Sequence, residues 1–177
     1  YFYPNENDEN DGIYKFIHKN SSTKFYPINT EQLDTKLLVN KLSALVTVSS
    51  GLNHFKIIKH TGYTENFKLM FCDYDTYALY MMKQIYDNWD GTNYKDFMNE
   101  VDVLNILEKE FFIDDKIFTK FVNSFGGKEQ WLSWFKDFKN NVKVDYLQLD
   151  ILDFKHQQYE LKLLLEFLNN IEGDKLV

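Results

Sequence analysis

The chain holds few side chains suited to chemistry: four histidines, one cysteine and scattered serines. His54 and His60 lie six positions apart, on opposite sides of a helix, so they do not share a metal ion. Asp153 and His156 stand at i and i+3 and would face the same way. A di-metal bundle site takes a Glu-x-x-His pair from each of two helices plus further inward Glu residues. One such pair is present and its first member is Asp, so a solvated surface pair is expected. Gly126-Gly127-Lys128 lacks the upstream glycine and the following hydroxyl of a phosphate-binding loop, and reads as a helix break. Ser43, Ser49, Ser50 and Ser133 have no nucleophile-elbow context. Cys72 follows Met70 and Phe71 with no base at recognisable spacing, as a partly buried structural thiol would. The expectation is a chain with no catalytic residue, no metal ligand and no cofactor.

Composition narrows the partners. The chain has 177 residues, 27 Asp and Glu against 20 basic residues, and a formal charge of −7. Every basic residue is Lys. Nucleic acid is disfavoured, because phosphate binding needs clustered cations and base reading favours Arg. A polybasic membrane patch is missing too. No apolar run approaches the roughly 20 residues that span a bilayer. Alanine occurs only at 44 and 78 and proline only at 4 and 27, while Asn, Lys, Tyr and Phe abound, as in an AT-rich genome. The chain opens at Tyr1 rather than Met, which suggests a piece of a longer or processed protein. Asn20-Ser21-Ser22 matches a glycosylation triplet of the kind that arises by chance in Asn-rich chains.

The elements that would position these side chains are read from apolar spacing. Phe67, Met70, Phe71, Tyr74, Tyr77, Ala78, Met81, Ile85 and Trp89 follow steps of three and four, which predicts a helix over 64–89. Leu38, Leu42, Leu45, Leu52 and Phe55 predict an earlier helix starting near Thr30, weakened by Gly51. A β reading of 55–58 paired with 67–71 competes; the helix is preferred because the stripe continues on both sides. Tyr94, Phe97, Met98, Val101, Leu104, Leu107 and Phe111 form a third stripe, extended by Ile117, Phe118, Phe121, Val122 and Phe125. Trp131, Trp134, Phe135, Phe138, Leu147, Ile151, Phe154, Leu161, Leu165, Leu168 and Ile171 form the last, with a bend or break over 140–144. The fold expected is an all-α, up-and-down four-helix bundle over residues 30–172. A flexible acidic lead-in and strap over 1–29, hairpin or irregular, precedes it, and 173–177 should fray.

Trp131, Trp134, Phe135 and Phe138 then stand out as a dense aromatic group behind the double glycine. Core packing is the plain reading. The sharper one makes Gly126 and Gly127 a hinge from which this face swings out to meet a membrane or a protein partner.

With no Arg, abundant Asn and Lys, one Cys and four amphipathic stripes, the chain resembles the Plasmodium sporozoite microneme proteins essential for cell traversal. The likeness lies in size, composition and helix count rather than in any motif. It implies a small four-helix protein without catalysis or cofactor, secreted from apical vesicles, the micronemes. Its work would be host-cell traversal or invasion through contact with a host membrane or a host or parasite protein, by opening of the bundle. The alternative is an exported helical interaction module that docks a host or cytoskeletal peptide in an aromatic groove, with Trp89, Trp131 and Trp134 as a loose match.

Overall fold

The structure is a computed structural model that describes residues 41–102, 115–150 and 156–176. The expectations for 1–29, for Thr30 and Leu38, and for Leu104, Leu107, Phe111, Ile151, Asp153 and Phe154 lie outside these residues.

The first described element is a strand. Leu42–Thr47 (β1) ends in the β-branched pair Val46 and Thr47, and five of its six residues are buried. Such near-continuous burial marks a strand covered on both faces. Helix Asn53–Thr61 (α1) follows, closed by Gly62, whose φ of 73° supplies the left-handed turn and whose N–H donates to Ile58 O. Strand Tyr63–Asp73 (β2) comes next, then helices Thr76–Asn88 (α2), Tyr94–Val101 (α3), Asp115–Asn123 (α4) and Lys128–Asn141 (α5). Strand Lys143–Gln148 (β3), helix Gln158–Asn169 (α6) and the two-residue strand Lys175–Leu176 (β4) complete the order.

All strand pairs are parallel, in the order β3-β2-β1-β4. Val46 pairs with Met70, and Met70 with Asp145, while the pairing of β1 with β2 slips between Leu42 and Ala44. Side chains alternate across the sheet. Leu45, Leu69 and Phe71 pack with Phe55 and Ile58 of α1, Met81 and Ile85 of α2, and Trp131, Phe135 and Phe138 of α5. Ala44, Val46, Met70 and Leu147 share a second, smaller core with Phe167 of α6 and with Ile171. The result is three layers, helix–sheet–helix. The connections β1–β2 and β2–β3 run over one face and β3–β4 over the other. Crossovers of one hand demand that once strand addition reverses direction.

This corrects the four-helix bundle: the fold is mixed α/β. The helix expected from Thr30 contains β1, and the helix expected over 64–89 is a strand followed by a helix. The last stripe is likewise cut by β3. In 67–72 the apolar residues include the unbroken run Leu69-Met70-Phe71-Cys72, and a run without gaps satisfies a helical step as readily as a buried strand. Lys175 and Leu176, in the stretch expected to fray, pair with Ala44 and Leu45. Of the two competing readings of 55–58, the helix is the observed one.

Candidate functional site

The carboxyl ends of β1, β2 and β3 meet in a set of hydrogen bonds made mostly by backbone amides. Ser49, just beyond β1, donates its N–H to Asp73 Oδ2 at 3.1 Å. Asp75 donates its own N–H to Asp73 Oδ1 at 3.0 Å. Asp75 in turn caps α2, accepting Tyr77 N–H on Oδ1 at 2.8 Å. Leu149 N–H reaches Asp73 O at 2.9 Å, and Gln148 Nε2 donates to Tyr74 O at 3.3 Å, which binds the end of β3 to the same spot. Asp150 N–H donates to Gln157 Oε1 at 2.8 Å, joining the edge to the start of α6.

Asp73 is the hub. Burial pushes its carboxyl above the usual range; the N–H groups of Asp75, Ser49 and Tyr74 pull it down and the Asp75 charge pushes it up. A carboxylate has about four acceptor positions. Three amides leave room for a further donor on this half-buried group. The β1–α1 turn, Val48-Ser49-Ser50-Gly51-Leu52, carries no charge, and Gly51 takes a φ of 58°. No side-chain cap bond closes the first turn of α1. Ser49 Oγ and Thr76 Oγ1, at the carboxyl ends of β1 and β2, are buried with no hydrogen-bond partner among the described residues. Buried hydroxyls normally find partners, so these two are open positions at the edge.

Two nearby groups are chemically quiet. His54 is enclosed by the rings of Phe55, Phe71 and Tyr86, and burial lowers its pKa to about 3, so it is neutral. Burial, helped by the Asp73 charge, pushes the Cys72 thiol up to about 12, which makes it a poor nucleophile.

A cleft of about 550 Å3 lies elsewhere, among the first turns of α3 and α5 and one face of α4, over Tyr94, Phe118 and Trp131. Its charged lining, Lys95, Asp96, Asp115 and Lys128, is exposed and of both signs. No buried, partnerless polar atom lies among its lining residues. Size favours the cleft, but two of the six buried, partnerless side-chain atoms among the described residues, those of Ser49 and Thr76, are at the sheet edge and none lines the cleft, and the edge is the better site.

No protein-family model matches this chain, no curated protein matches it, and no solved structure matches it. The resemblance to sporozoite traversal proteins gains nothing from these comparisons, and the four-helix count on which it leaned is replaced by the α/β fold.

The residues singled out for contact lie around a single side chain. Phe55 of α1, fully buried, sits 5.4 to 6.0 Å, ring centroid to centroid, from Trp131, Trp134, Phe135 and Phe138. Trp131 also donates Nε1–H to Gly91 O at 2.7 Å. Three of the four are buried and Trp134 is half-buried. Gly126 and Gly127, the candidate hinge, have φ of 99° and 108° and end α4 with bonds to Asn123 O and Val122 O. His60 lies exposed in the last turn of α1, whereas His54 of the same helix is buried, and His156 is exposed.

Asp73 was not among the residues singled out from the sequence, and Ser49 was weighed there only as a nucleophile. One signal was present: a β-branched run, a short turn with glycine, a helix, and an acidic residue ending the next apolar run about 20 residues later. A single glycine where the nucleotide fingerprint has three hid it.

Proposed function

We propose that this domain binds a ribose-bearing ligand, a nucleoside or nucleotide-type cofactor, at the carboxyl edge of its sheet beside β1. The reading rests on one observation. In an open parallel sheet ligands bind outside the carboxyl ends, where strand order reverses. Here strand order reverses beside β1, and at that point the β1–α1 turn is bonded to the acidic residue ending β2. That acid is the natural acceptor for ribose hydroxyls.

The test is calorimetric titration with adenosine and with 2′,3′-dideoxyadenosine. A hydrogen bond to a charged acceptor contributes about 1.5–3 kcal/mol, so removing the diol should weaken binding roughly 10- to 100-fold. Asp73→Ala should weaken adenosine binding by a similar factor and leave the dideoxy compound little changed. Equal affinities for the two nucleosides would overturn the assignment. The contact function expected from the sequence ran through a membrane or protein partner, with opening at Gly126-Gly127 as one route and peptide docking in an aromatic groove as the alternative. No observation among the described residues favours it over ligand binding.

A further inference from the structure

We infer that the ligand at the carboxyl edge carries a phosphate held by the first turn of α1, so that the site takes a nucleotide rather than a bare nucleoside; the inference rests on reading this edge as the ligand site. It comes from a surplus of buried donors. The first amides of an α-helix have no partner within the helix, and side chains, water or a ligand take them up. In α1 no side chain does so: there is no side-chain cap bond and no acidic residue in the first turn. The Phe55 N–H turns back to Leu52 O at 3.1 Å, but the amides of Gly51, Leu52 and His54 make no hydrogen bond among the described residues. All three residues are buried.

A second observation is independent of the helix. Ser49, in the turn that leads into α1, is 2% exposed, and its Oγ has no partner among the described residues. Thr76, the first residue of α2, is 5% exposed, and its Oγ1 has none either. Hydroxyls buried this deeply normally find partners. Every group left over here is an amide or a hydroxyl, and each is able to donate. A group that only accepts matches such a set. A phosphate ester presents three terminal oxygens and gains from the positive end of the helix dipole as well. Gly51, with a φ of 58° and no side chain, lets it approach the backbone closely. Asp73 does not use these donors: its carboxylate accepts from the backbone amides of Ser49 and Asp75, which leaves the Ser49 hydroxyl over. The diol and the phosphate of one nucleotide are thus served by different atoms of the same edge.

The experiment is calorimetric titration of the 177-residue chain with adenosine, AMP, 2′,3′-dideoxyadenosine 5′-phosphate and inorganic phosphate, with amide exchange followed residue by residue on the same samples. AMP should bind roughly tenfold or more tightly than adenosine, and far more tightly than inorganic phosphate. It should slow exchange of the Gly51, Leu52 and His54 amides beyond what adenosine does. Ser49→Ala, which removes the hydroxyl and keeps the amide bonded to Asp73, should lower the AMP-to-adenosine ratio roughly tenfold. AMP binding no more tightly than adenosine would overturn the inference while leaving the ribose site standing. Inorganic phosphate binding as tightly as AMP would also overturn it, making the turn a plain anion site. AMP and its dideoxy form binding equally, both more tightly than adenosine, would uphold the phosphate position and remove the ribose contact. If none of the four binds, both readings fall. Should Ser49→Ala fail to fold, unchanged exchange of those three amides in the wild type on AMP binding overturns the inference in its place.

Discussion

A histidine sealed among aromatic rings makes this fold sensitive to acid. His54 has both ring nitrogens buried and without partners among the described residues, and its pKa falls to about 3 from 6.5. Between those two values the unfolded chain holds a proton that the folded chain refuses. Stability therefore rises with pH across the window and is lost as pH drops below about 6.5, at up to about 1.4 kcal/mol per pH unit. Urea midpoints at pH 7.5, 6.5 and 5.5 measure this. Ordinary carboxylates contribute little above pH 5.5, and the raised carboxyls of Asp73 and Asp145 favour folding as pH falls, so a drop from 6.5 to 5.5 belongs mainly to His54. In His54→Phe that drop should largely disappear, and a variant as acid-sensitive as the wild type would rule out His54 as the cause. Phe55, the next residue, works by packing alone. Replacing it with Ala opens a cavity beside four aromatic rings and should cost about 3–5 kcal/mol.

Between the elements, glycines with positive φ set the joints, and their surroundings rank them. Gly91 has a φ of 89°, and an added Cβ would stand 2.8 Å from Phe135 Cδ1 and 3.1 Å from Leu132 Cδ2. Its carbonyl also takes the Trp131 ring N–H. Gly62 has a φ of 73°, but its nearest neighbour would be Lys41 Cγ at 3.6 Å. Gly62→Ala should cost about 1–2 kcal/mol of backbone strain. Gly91→Ala adds overpacking of about 1–3 kcal/mol and should be the worse by thermal melting; equal losses would refute the close packing of α5 on this turn. Both glycines lie between the apolar stripes, Gly62 just before 64–89 and Gly91 just before Tyr94, where a helix break is legible. The helices α1, α2, α4 and α5 also followed their stripes, because Phe55 and Ile58, or Met81 and Ile85, recur at helical steps on one buried face. The strands were not legible. A strand buried on both faces has no polar side, so Leu69-Met70-Phe71 and Leu42-Ser43-Ala44-Leu45 lack the alternation that announces a half-exposed strand. The edge stayed hidden for a related reason: its bonds use backbone amides of Ser49, Asp75 and Leu149, which any sequence provides.

At the scale of the molecule the two helical layers are unequal, and this predicts how the fold opens. The core between the sheet and α1, α2, α4 and α5 joins aromatic residues from every one of those helices. Among the described residues the opposite core has seven buried residues, with Phe167 the one buried residue of α6. Tyr159 and Leu165 of the same helix are 67% and 58% exposed. An element held by so little buried apolar area opens locally at a small fraction of the global unfolding cost. By hydrogen exchange, α6 and β4 should exchange well before α2, α5 and the central strands. Phe167→Ala should speed exchange of α6 further while leaving α5 nearly unchanged. Protection of α6 equal to that of α2 would mean the two layers open as one unit. The link between Asp150 and Gln157 gives this weak layer a part in binding, because it ties the start of α6 to the sheet edge. A ligand seated at that edge stabilises the closed form of whatever it touches. Adenosine should therefore slow exchange in the β1–α1 turn and in the first turn of α6, leaving α4 and α5 unaffected. Slowing in α4 and α5 instead would place the ligand in the cleft over Tyr94 and Trp131.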